Sequence, residues 1–226
     1  MSNYPHPIIA REGWLFVGLA LVVAIGLSFT PWWPLTALAW LAVLFVVQFF
    51  RDPPRVVPQQ TNAVLAPADG RVLRVEKARD PYLERDAIMI SIFMNVFNVH
   101  VNRVPVDGTV TALAYRPGKF INASFDKASE DNERMAIAVR RADGRLIGCV
   151  QIAGWVARHI ICNIKPGQAV AAGERFGHIR FGSRTDLYLP TGARLLVAEG
   201  QRMIGGETVV AELDPADATP RRVIEF

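Results

Sequence analysis

The sequence predicts a mainly β domain that follows an N-terminal hydrophobic helical hairpin. Residues 13–50 contain no Asp, Glu, Lys, Arg or His. After residue 50, charged residues become frequent and apolar residues occur in short β-branched groups separated by Gly, Pro, Asp and Asn, which is typical of strands. With 226 residues, the chain has room for one ordinary domain and an appendage. We therefore divide it into a membrane-anchoring hairpin, residues 1–55, and a β domain, residues 56–226.

The hairpin is predicted from two apolar segments, residues 14–29 and 35–50, separated by the sequence Pro-Trp-Trp-Pro at residues 31–34. Each segment would form a helix of about 24 Å at 1.5 Å per residue, which is short of the ~30 Å hydrocarbon core of a bilayer. The prolines disfavour a continuous helix, and the paired tryptophans suit a membrane boundary. We therefore expect a turn at residues 31–34 and a thin, tilted or re-entrant hairpin.

Basic residues flank the hairpin, with Arg11 before it and Arg51 and Arg55 after it. The positive-inside rule places both ends, and hence the β domain, on the cytoplasmic face of the cell membrane. A secretory signal peptide is the alternative, but the basic N-terminal region is thin and no small-residue cleavage site follows. The hydrophobic fraction of 51%, the mean hydropathy of +0.21 and the net charge of +4 agree with a protein that meets anionic lipid headgroups.

The composition also limits the partners and ligands. No basic run interleaved with aromatic residues is present, so we do not expect nucleic-acid binding. The two cysteines, Cys149 and Cys162, are too few for a disulfide framework or a metal site, and we expect them to be small buried side chains. We therefore predict no metal and a reducing compartment.

Ten segments of the β domain are predicted to be strands, because apolar and β-branched residues cluster there between turn residues. They are residues 71–76, 87–93, 109–115, 134–140, 146–155, 158–163, 175–181, 185–189, 194–197 and 207–212. Helical periodicity is weak throughout this part of the chain, so we expect few helices in it.

An internal repeat supports the β prediction. The pattern Gly-Gln-x4-Gly-Glu begins at Gly167 and again at Gly200. Glycines at fixed positions before strands are typical of tight turns that need a positive φ, so the repeat predicts two quasi-equivalent hairpins in a small barrel or sandwich. The pattern also resembles the turns of barrel-sandwich hybrid domains, the fold of lipoyl and biotinyl carriers.

Two polar segments in the first half of the β domain could carry chemistry. Residues 67–70, Pro-Ala-Asp-Gly, form a turn before a strand, in which Asp69 is either a turn residue or a chemical group. Within residues 96–108, alternation places His100 and Asn102 on one face of an extended segment, although a single histidine is more often structural.

A third segment, residues 176–190, contains the dipeptide Gly182-Ser183 between two predicted strands. The dipeptide either forms an ordinary turn or contains a peptide bond that undergoes self-cleavage. Glycine admits unusual backbone geometry and leaves its carbonyl unshielded, while the serine hydroxyl lies beside that carbonyl and can attack it once a base removes the proton. The spacing alone does not decide between the two.

Taken together, the three segments resemble the short form of the phosphatidylserine decarboxylase family. Residues 67–70 match its Pro-x-Asp-Gly turn, residues 100–108 match its histidine-containing strand, and residues 181–183 match its processing site. The likeness extends over residues 51–212, and the membrane-inserted N-terminus is similar too. Each motif is weak by itself, but their order and combination are specific.

This resemblance implies a proenzyme that cuts itself between Gly182 and Ser183 into residues 1–182, the β chain, and residues 183–226, the α chain. Ser183 would become a pyruvoyl group, the covalent cofactor, with loss of ammonia. The ketone would form a Schiff base with the amine of phosphatidylserine, accept the electrons left when CO2 departs, and release phosphatidylethanolamine. The resemblance leaves a homo-oligomer open.

The resemblance also implies roles for individual residues. His100 would protonate the carbon that loses CO2. Asp69 would orient a partner residue, or favour its charged form, during cleavage. Longer members of the family have a second histidine three residues after the first, where this chain has Arg103. Arginine is a poor base, so we assign His100 to the activation of Ser183 as well. The remaining histidines are predicted to be structural or surface residues: His6, His159 and His178.

Guanidinium groups pair with phosphate and carboxylate, the anionic groups of phosphatidylserine. Arg103, Arg184 and Arg158 are therefore the candidates for substrate binding, with ordinary surface arginine as the alternative interpretation.

Two other functions compete with this prediction. Residues 125–128, Phe-Asp-Lys-Ala, resemble the lysine-bearing tip at which lipoyl groups are attached, which favours a membrane-anchored carrier or adaptor. The surrounding residues are charged and polar, however, and fit a solvated loop or a lid better than a symmetric hairpin. A peptidase that uses Ser183 lacks both the Gly-x-Ser-x-Gly and the His-Glu-x-x-His patterns.

Overall fold

A computed structural model describes residues 8–60, 62–118, 132–154, 160–179 and 183–213 of the chain. A 3-10 turn, Arg11–Gly13, precedes helices α1 (Trp14–Ser28) and α2 (Trp33–Phe49). The strands are β1 (Ala63–Leu65), β2 (Gly70–Asp80), β3 (Arg85–Met94), β4 (Val101–Arg103), β5 (Gly108–Arg116), β6 (Arg134–Arg140), β7 (Leu146–Ile152), β8 (Ile160–Cys162), β9 (Ala169–Val170), β10 (Arg175–Ile179), β11 (Ser183–Leu189), β12 (Arg194–Leu195), β13 (Arg202–Met203) and β14 (Val209–Glu212). The predicted fold class, mainly β after an apolar helix pair, is confirmed.

The two helices form the predicted hairpin, although the turn lies slightly earlier than residues 31–34. Pro34 lies in the first turn of α2. The N–H groups of a first turn have no acceptor within the helix, so a proline there breaks no helical hydrogen bond. The hydroxyl of Thr36 donates to the Leu27 carbonyl at 2.9 Å and joins the helices. The segment Arg11–Ser28 is long and apolar enough to cross a membrane, and α2 is shorter. Core helices and signal sequences meet the same criterion, so the segment supports membrane association only weakly.

Buried charges attach the ends of the hairpin to the β domain. Asp52, just after α2, accepts a hydrogen bond from Arg103 at 2.5 Å and lies 3.7 Å from Arg175. Arg175 also pairs with Glu12, just before α1. Asp52 is fully buried, and the Arg103 side chain is 3% exposed. Because a buried charge needs a partner, the four residues form a network that fixes the base of the hairpin against β4 and β10.

The main sheet is antiparallel and has eight strands in the order β13-β2-β3-β11-β7-β6-β5-β9. Smaller sheets, β4-β10-β8 and β1-β14-β12, complete the domain. The largest apolar cluster includes Ile90, Cys149 and Leu187 of the main sheet. A second cluster, with Met89 and Tyr188, lies on the other face. Both faces of the central strands are therefore covered, which explains why β11 is buried along its whole length.

The internal repeat forms two equivalent pairs of turns, as predicted. The predicted hairpins are wrong, because the strands beside these turns pair with distant strands: β9 with β5, β10 with β4 and β8, β13 with β2, and β14 with β1 and β12. Its four glycines, Gly167, Gly173, Gly200 and Gly206, have φ values of 83°, 79°, 84° and 79°. The surrounding hydrogen bonds also correspond: Gly167 N–H donates to the carbonyl of Val110, and Gly200 N–H donates to that of Val72. Side chains at these positions would be strained, so the glycines are required by the backbone.

Most predicted strands are present, and the differences are at their ends. β2 and β3 are longer than residues 71–76 and 87–93, because they pair with each other as far as Asp80 and Arg85. Four strands of two or three residues were not predicted as strands: β1, β4, β9 and β13. Such short strands are held by partners distant in the sequence, and a local pattern does not indicate them.

Candidate active site

The ends of four strands of the main sheet, β3, β11, β7 and β6, meet where the self-cleaving bond is predicted. Ser183, the first residue of β11, lies opposite Met94, the last residue of β3. On the other side of β11, Arg184 lies opposite Ile152, the last residue of β7, which in turn lies opposite Arg134. Because neighbouring strands are antiparallel, their connections leave the sheet at this end. The candidate site therefore lies at one end of the central strands, and Ser183 at this end is buried in the core.

Ser183 is fully buried, and its hydroxyl lies 3.8 Å from the sulfur of Met94. A thioether sulfur is a weak acceptor, so it competes little for the hydroxyl proton. Gly182 lies outside the described residues, as do Arg158, His6, His159 and the lysine-bearing segment 125–128. The predicted nucleophile is thus in a dry environment with a weakly held proton.

Three polar side chains lie near Ser183 in the otherwise apolar interior. The amide of Gln151 donates to Asn102 Oδ1 at 2.7 Å, and the amide nitrogen of Asn102 lies 3.5 Å from the hydroxyl of Thr185. All three side chains are fully buried. Asn102 was noticed in the sequence, whereas Gln151 and Thr185 were missed. A polar residue between Val150 and Ile152 in an apolar strand was the available signal for Gln151.

His100 is fully buried beside the base of the hairpin, with its ring centroid 4.3 Å from that of Phe49. Its Nδ1 atom lies 3.0 Å from the carbonyl oxygen of Asn98. Burial disfavours the charged imidazolium and lowers the pKa of His100 from its ordinary value to about 4. The hydrogen bond to Asn98 acts in the opposite direction but is the smaller effect. Arg51 lowers the pKa further through its charge. The imidazole is therefore neutral near pH 7.

His178 was predicted to be a structural or surface residue, and the structure places it next to His100. It lies on β10, opposite Val101 of β4, and its ring centroid is 6.4 Å from that of His100. It is fully buried and stacks on Phe50 with a centroid distance of 5.4 Å. A surface position is therefore wrong for His178, and its neighbourhood makes it part of the site region.

We expect the stability of the folded chain to fall as the pH drops from 7 to 5, partly because of His100. Its pKa is about 4 in the folded protein and about 6.5 when unfolded, so the unfolded chain binds the proton first. The difference should cost about 2 kcal/mol over this range. Urea denaturation of the full chain in detergent at both pH values, compared with His100→Phe, measures it. An equal loss of unfolding free energy in the wild type and in His100→Phe would contradict the lowered pKa of His100.

Asp69 lies in the predicted turn, and its carboxylate has two partners. Arg55 pairs with it at 3.0 Å, and the N–H of Gly205 donates to it at 2.8 Å. These contacts join the turn at residues 67–70 to the end of the hairpin and to the second copy of the repeat. The role of Asp69 in cleavage stays a prediction.

The two described arginines among the substrate-binding candidates are both engaged by protein groups. Arg103 contacts Asp52 and the carbonyl of Gly173. Arg184 binds both carboxylate oxygens of Asp186, at 2.6 and 2.9 Å, and lies on the opposite face of β11 from Ser183. Substrate binding by these arginines stays a prediction, and each would have to share its guanidinium with a buried carboxylate.

Comparison with known proteins gives one consistent result. A sequence profile described as "Phosphatidylserine decarboxylase" matches residues 43–211. Curated relatives named "Phosphatidylserine decarboxylase proenzyme" include one from Ralstonia pickettii, 55% identical over 217 residues, which cover 94% of this chain and 99% of the relative. Another, from Nitrosomonas eutropha, is 55% identical over 211 residues, covering 93% and 98%. These matches span the helices, the strands and the segment around Ser183, and the chain therefore belongs to the phosphatidylserine decarboxylase family.

Proposed function

We propose that the chain cuts its own backbone between Gly182 and Ser183 and then converts phosphatidylserine to phosphatidylethanolamine with a pyruvoyl group made from Ser183. The observation that carries the proposal is the buried hydroxyl of Ser183, held only weakly by Met94, beside a polar cluster in an apolar core. Membership of the family, and the word "proenzyme" in the names of its relatives, support the proposal.

The surroundings of Ser183 fit the formation of a reactive carbonyl at this position. Covalent geometry keeps the hydroxyl next to the preceding carbonyl carbon, so attack needs little movement of the chain. Complete burial limits competing reactions with water, and the nearby amides can donate hydrogen bonds to a carbonyl oxygen. A pyruvoyl group at this position would supply an electron sink for the loss of CO2 from an amino acid.

His100 is proposed as the group that moves protons in both stages. A carbonyl oxygen only accepts hydrogen bonds, so the contact with Asn98 places the ring proton on Nδ1 and the acceptor lone pair on Nε2. A neutral ring with this tautomer can take the proton of Ser183 and later return one to carbon. Arg103, which replaces the second histidine of longer members, is held by Asp52, and arginine is a poor base.

The hairpin is proposed to anchor the enzyme at the cytoplasmic face of the membrane, where its lipid substrate lies. Phe49, at the end of α2, contacts the ring of His100, and Gln48 donates to the carbonyl of Phe97 at 3.0 Å. His100, the proposed proton carrier, therefore adjoins the base of the hairpin. A headgroup that approaches from the bilayer would reach the site over a short distance.

The full chain, purified after expression, should consist of two fragments, residues 1–182 and 183–226. The second fragment should be lighter than its sequence mass by one ammonia and should have a blocked N-terminus. The preparation should release CO2 from phosphatidylserine in mixed micelles. Intact mass, a denaturing gel and lipid chromatography measure these results. A single chain with a modified Lys127 would favour the carrier, and a single unmodified chain would reject both proposals.

A further inference from the structure

The amides of Asn102 and Gln151 form a buried pair whose orientation is set by one short hydrogen bond. Gln151 Nε2 donates to Asn102 Oδ1 at 2.7 Å. The carbonyl oxygen of Asn102 is therefore used, and its NH2 group points the other way, towards Thr185 and Met94. The Oε1 atom of Gln151 has no hydrogen-bond donor in the part of the chain that the structure describes. Burying the Oε1 atom of Gln151 without a donor costs stability, which indicates that Gln151 has a role other than stabilising the fold.

Among the described residues, the NH2 group of Asn102 has only weak acceptors. Its nitrogen lies 3.5 Å from Thr185 Oγ1 and 3.8 Å from the sulfur of Met94. The first distance is at the limit of a hydrogen bond, and a thioether accepts poorly. A buried donor in this situation would gain much from a stronger, negatively charged acceptor.

The same sulfur connects this donor to the nucleophile. Ser183 Oγ also lies 3.8 Å from Met94 Sδ, so the hydroxyl and the amide share a contact with one atom. Thr185 follows Ser183 by two residues and therefore points to the same face of β11. Asn102 lies on β4, two residues after His100. The amide thus lies among the groups proposed to react.

We propose that Asn102 donates the hydrogen bond that stabilises the oxyanion formed during self-cleavage, and that Gln151 is a positioning residue for it. The inference rests on the proposed function. Oγ of Ser183 bonds to the preceding carbonyl carbon, its proton passes to a base, and the carbonyl electron pair moves onto oxygen. The C–N bond then breaks, the nitrogen takes the proton back, and an ester remains. Asn102 Nδ2 stabilises the negative oxygen in between.

Replacement of Asn102 separates this role from simple packing. Asn102→Leu keeps the branched shape of the side chain and removes the donor, whereas Asn102→Ser leaves a cavity and keeps a donor. A donor role predicts slower cleavage in the leucine variant, by about 100- to 1000-fold, and a smaller loss in the serine variant. A packing role predicts the opposite order. The measurement is the loss of full-length precursor with time after synthesis, on a denaturing gel.

Gln151 and a control complete the experiment. Gln151→Met keeps the length of the side chain and removes the bond to Asn102, so cleavage should slow, though less than in Asn102→Leu. Thr111→Val removes a hydroxyl that donates to the Ala138 carbonyl at 3.2 Å elsewhere in the sheet, and it should be cut at the normal rate. If Asn102→Leu does not fold, as judged by thermal unfolding, Asn102→Ser and Gln151→Met still test the inference.

Hydroxylamine identifies the step, because it cuts esters. If Asn102 acts while the ester forms, hydroxylamine will not speed the cleavage of Asn102→Leu. Rapid cutting by hydroxylamine would show that the ester has already formed, and would overturn the inference. Cleavage of Asn102→Leu at the wild-type rate would overturn it too, while leaving the proposed function intact. A wild-type chain that is never cut would overturn both.

Discussion

Replacing Ser183 by alanine will leave the chain uncut and without decarboxylase activity. Alanine has no hydroxyl, so no group remains beside the preceding carbonyl to attack it, and no carbonyl cofactor can form from this residue. The substitution removes one buried oxygen whose contact is the sulfur of Met94, so the fold should be retained. The expected result is full-length protein on a denaturing gel, unmodified by intact mass, with no detectable turnover of phosphatidylserine.

A matched serine variant serves as the control. Ser28 lies at the end of α1, where its hydroxyl accepts a hydrogen bond from Trp40 at 3.2 Å, far along the chain from the β domain. Ser28→Ala should be cut and active like the wild type. Two normal fragments from Ser183→Ala would refute the assignment of the nucleophile.

Replacing Asp52 by alanine will destabilise the protein more than any substitution of an exposed carboxylate. The change leaves Arg103 and Arg175 buried without the charge that lies between them. Removing one partner of a buried ion pair typically costs about 3–5 kcal/mol, because the remaining charge is not compensated. Chemical denaturation of the full chain in detergent, followed by tryptophan fluorescence, measures the loss.

Asp143 is a suitable control because it also bridges two arginines, Arg141 at 3.0 Å and Arg145 at 2.6 Å, but at the surface. Surface ion pairs contribute about 1 kcal/mol or less, so Asp143→Ala should change the unfolding free energy little. Similar losses in the two variants would mean that the network around Asp52 does not hold the hairpin base in place.

Local patterns in the sequence predicted much of the fold. The uncharged residues 13–50 indicated the hairpin, and the repeated glycines indicated turns whose φ values are indeed positive. Both features depend on residues close together in the chain. For the candidate site, alternation within residues 96–108 singled out His100 and Asn102, and both side chains are buried in the structure.

The remaining features depend on contacts between distant segments. Gln151 reaches Asn102 only because the small sheet packs against the main one, and nothing near residue 151 indicates that partner. Arg103 was considered for lipid binding, and its pairing with Asp52 follows from the path of the chain after α2. His178 lies beside His100 because β10 pairs with β4, a register that the sequence does not reveal.

Because the strands on either side of residue 183 pair with one another, folding has to precede the proposed cleavage. β11 is hydrogen-bonded between β3 and β7, β13 pairs with β2, and β14 pairs with β1. A break before β11 would therefore leave two polypeptides interlocked through three separate regions. The surroundings of the proposed nucleophile are assembled only once these pairings exist, so scission would mark each copy that has folded correctly, and misfolded copies would keep their backbone whole.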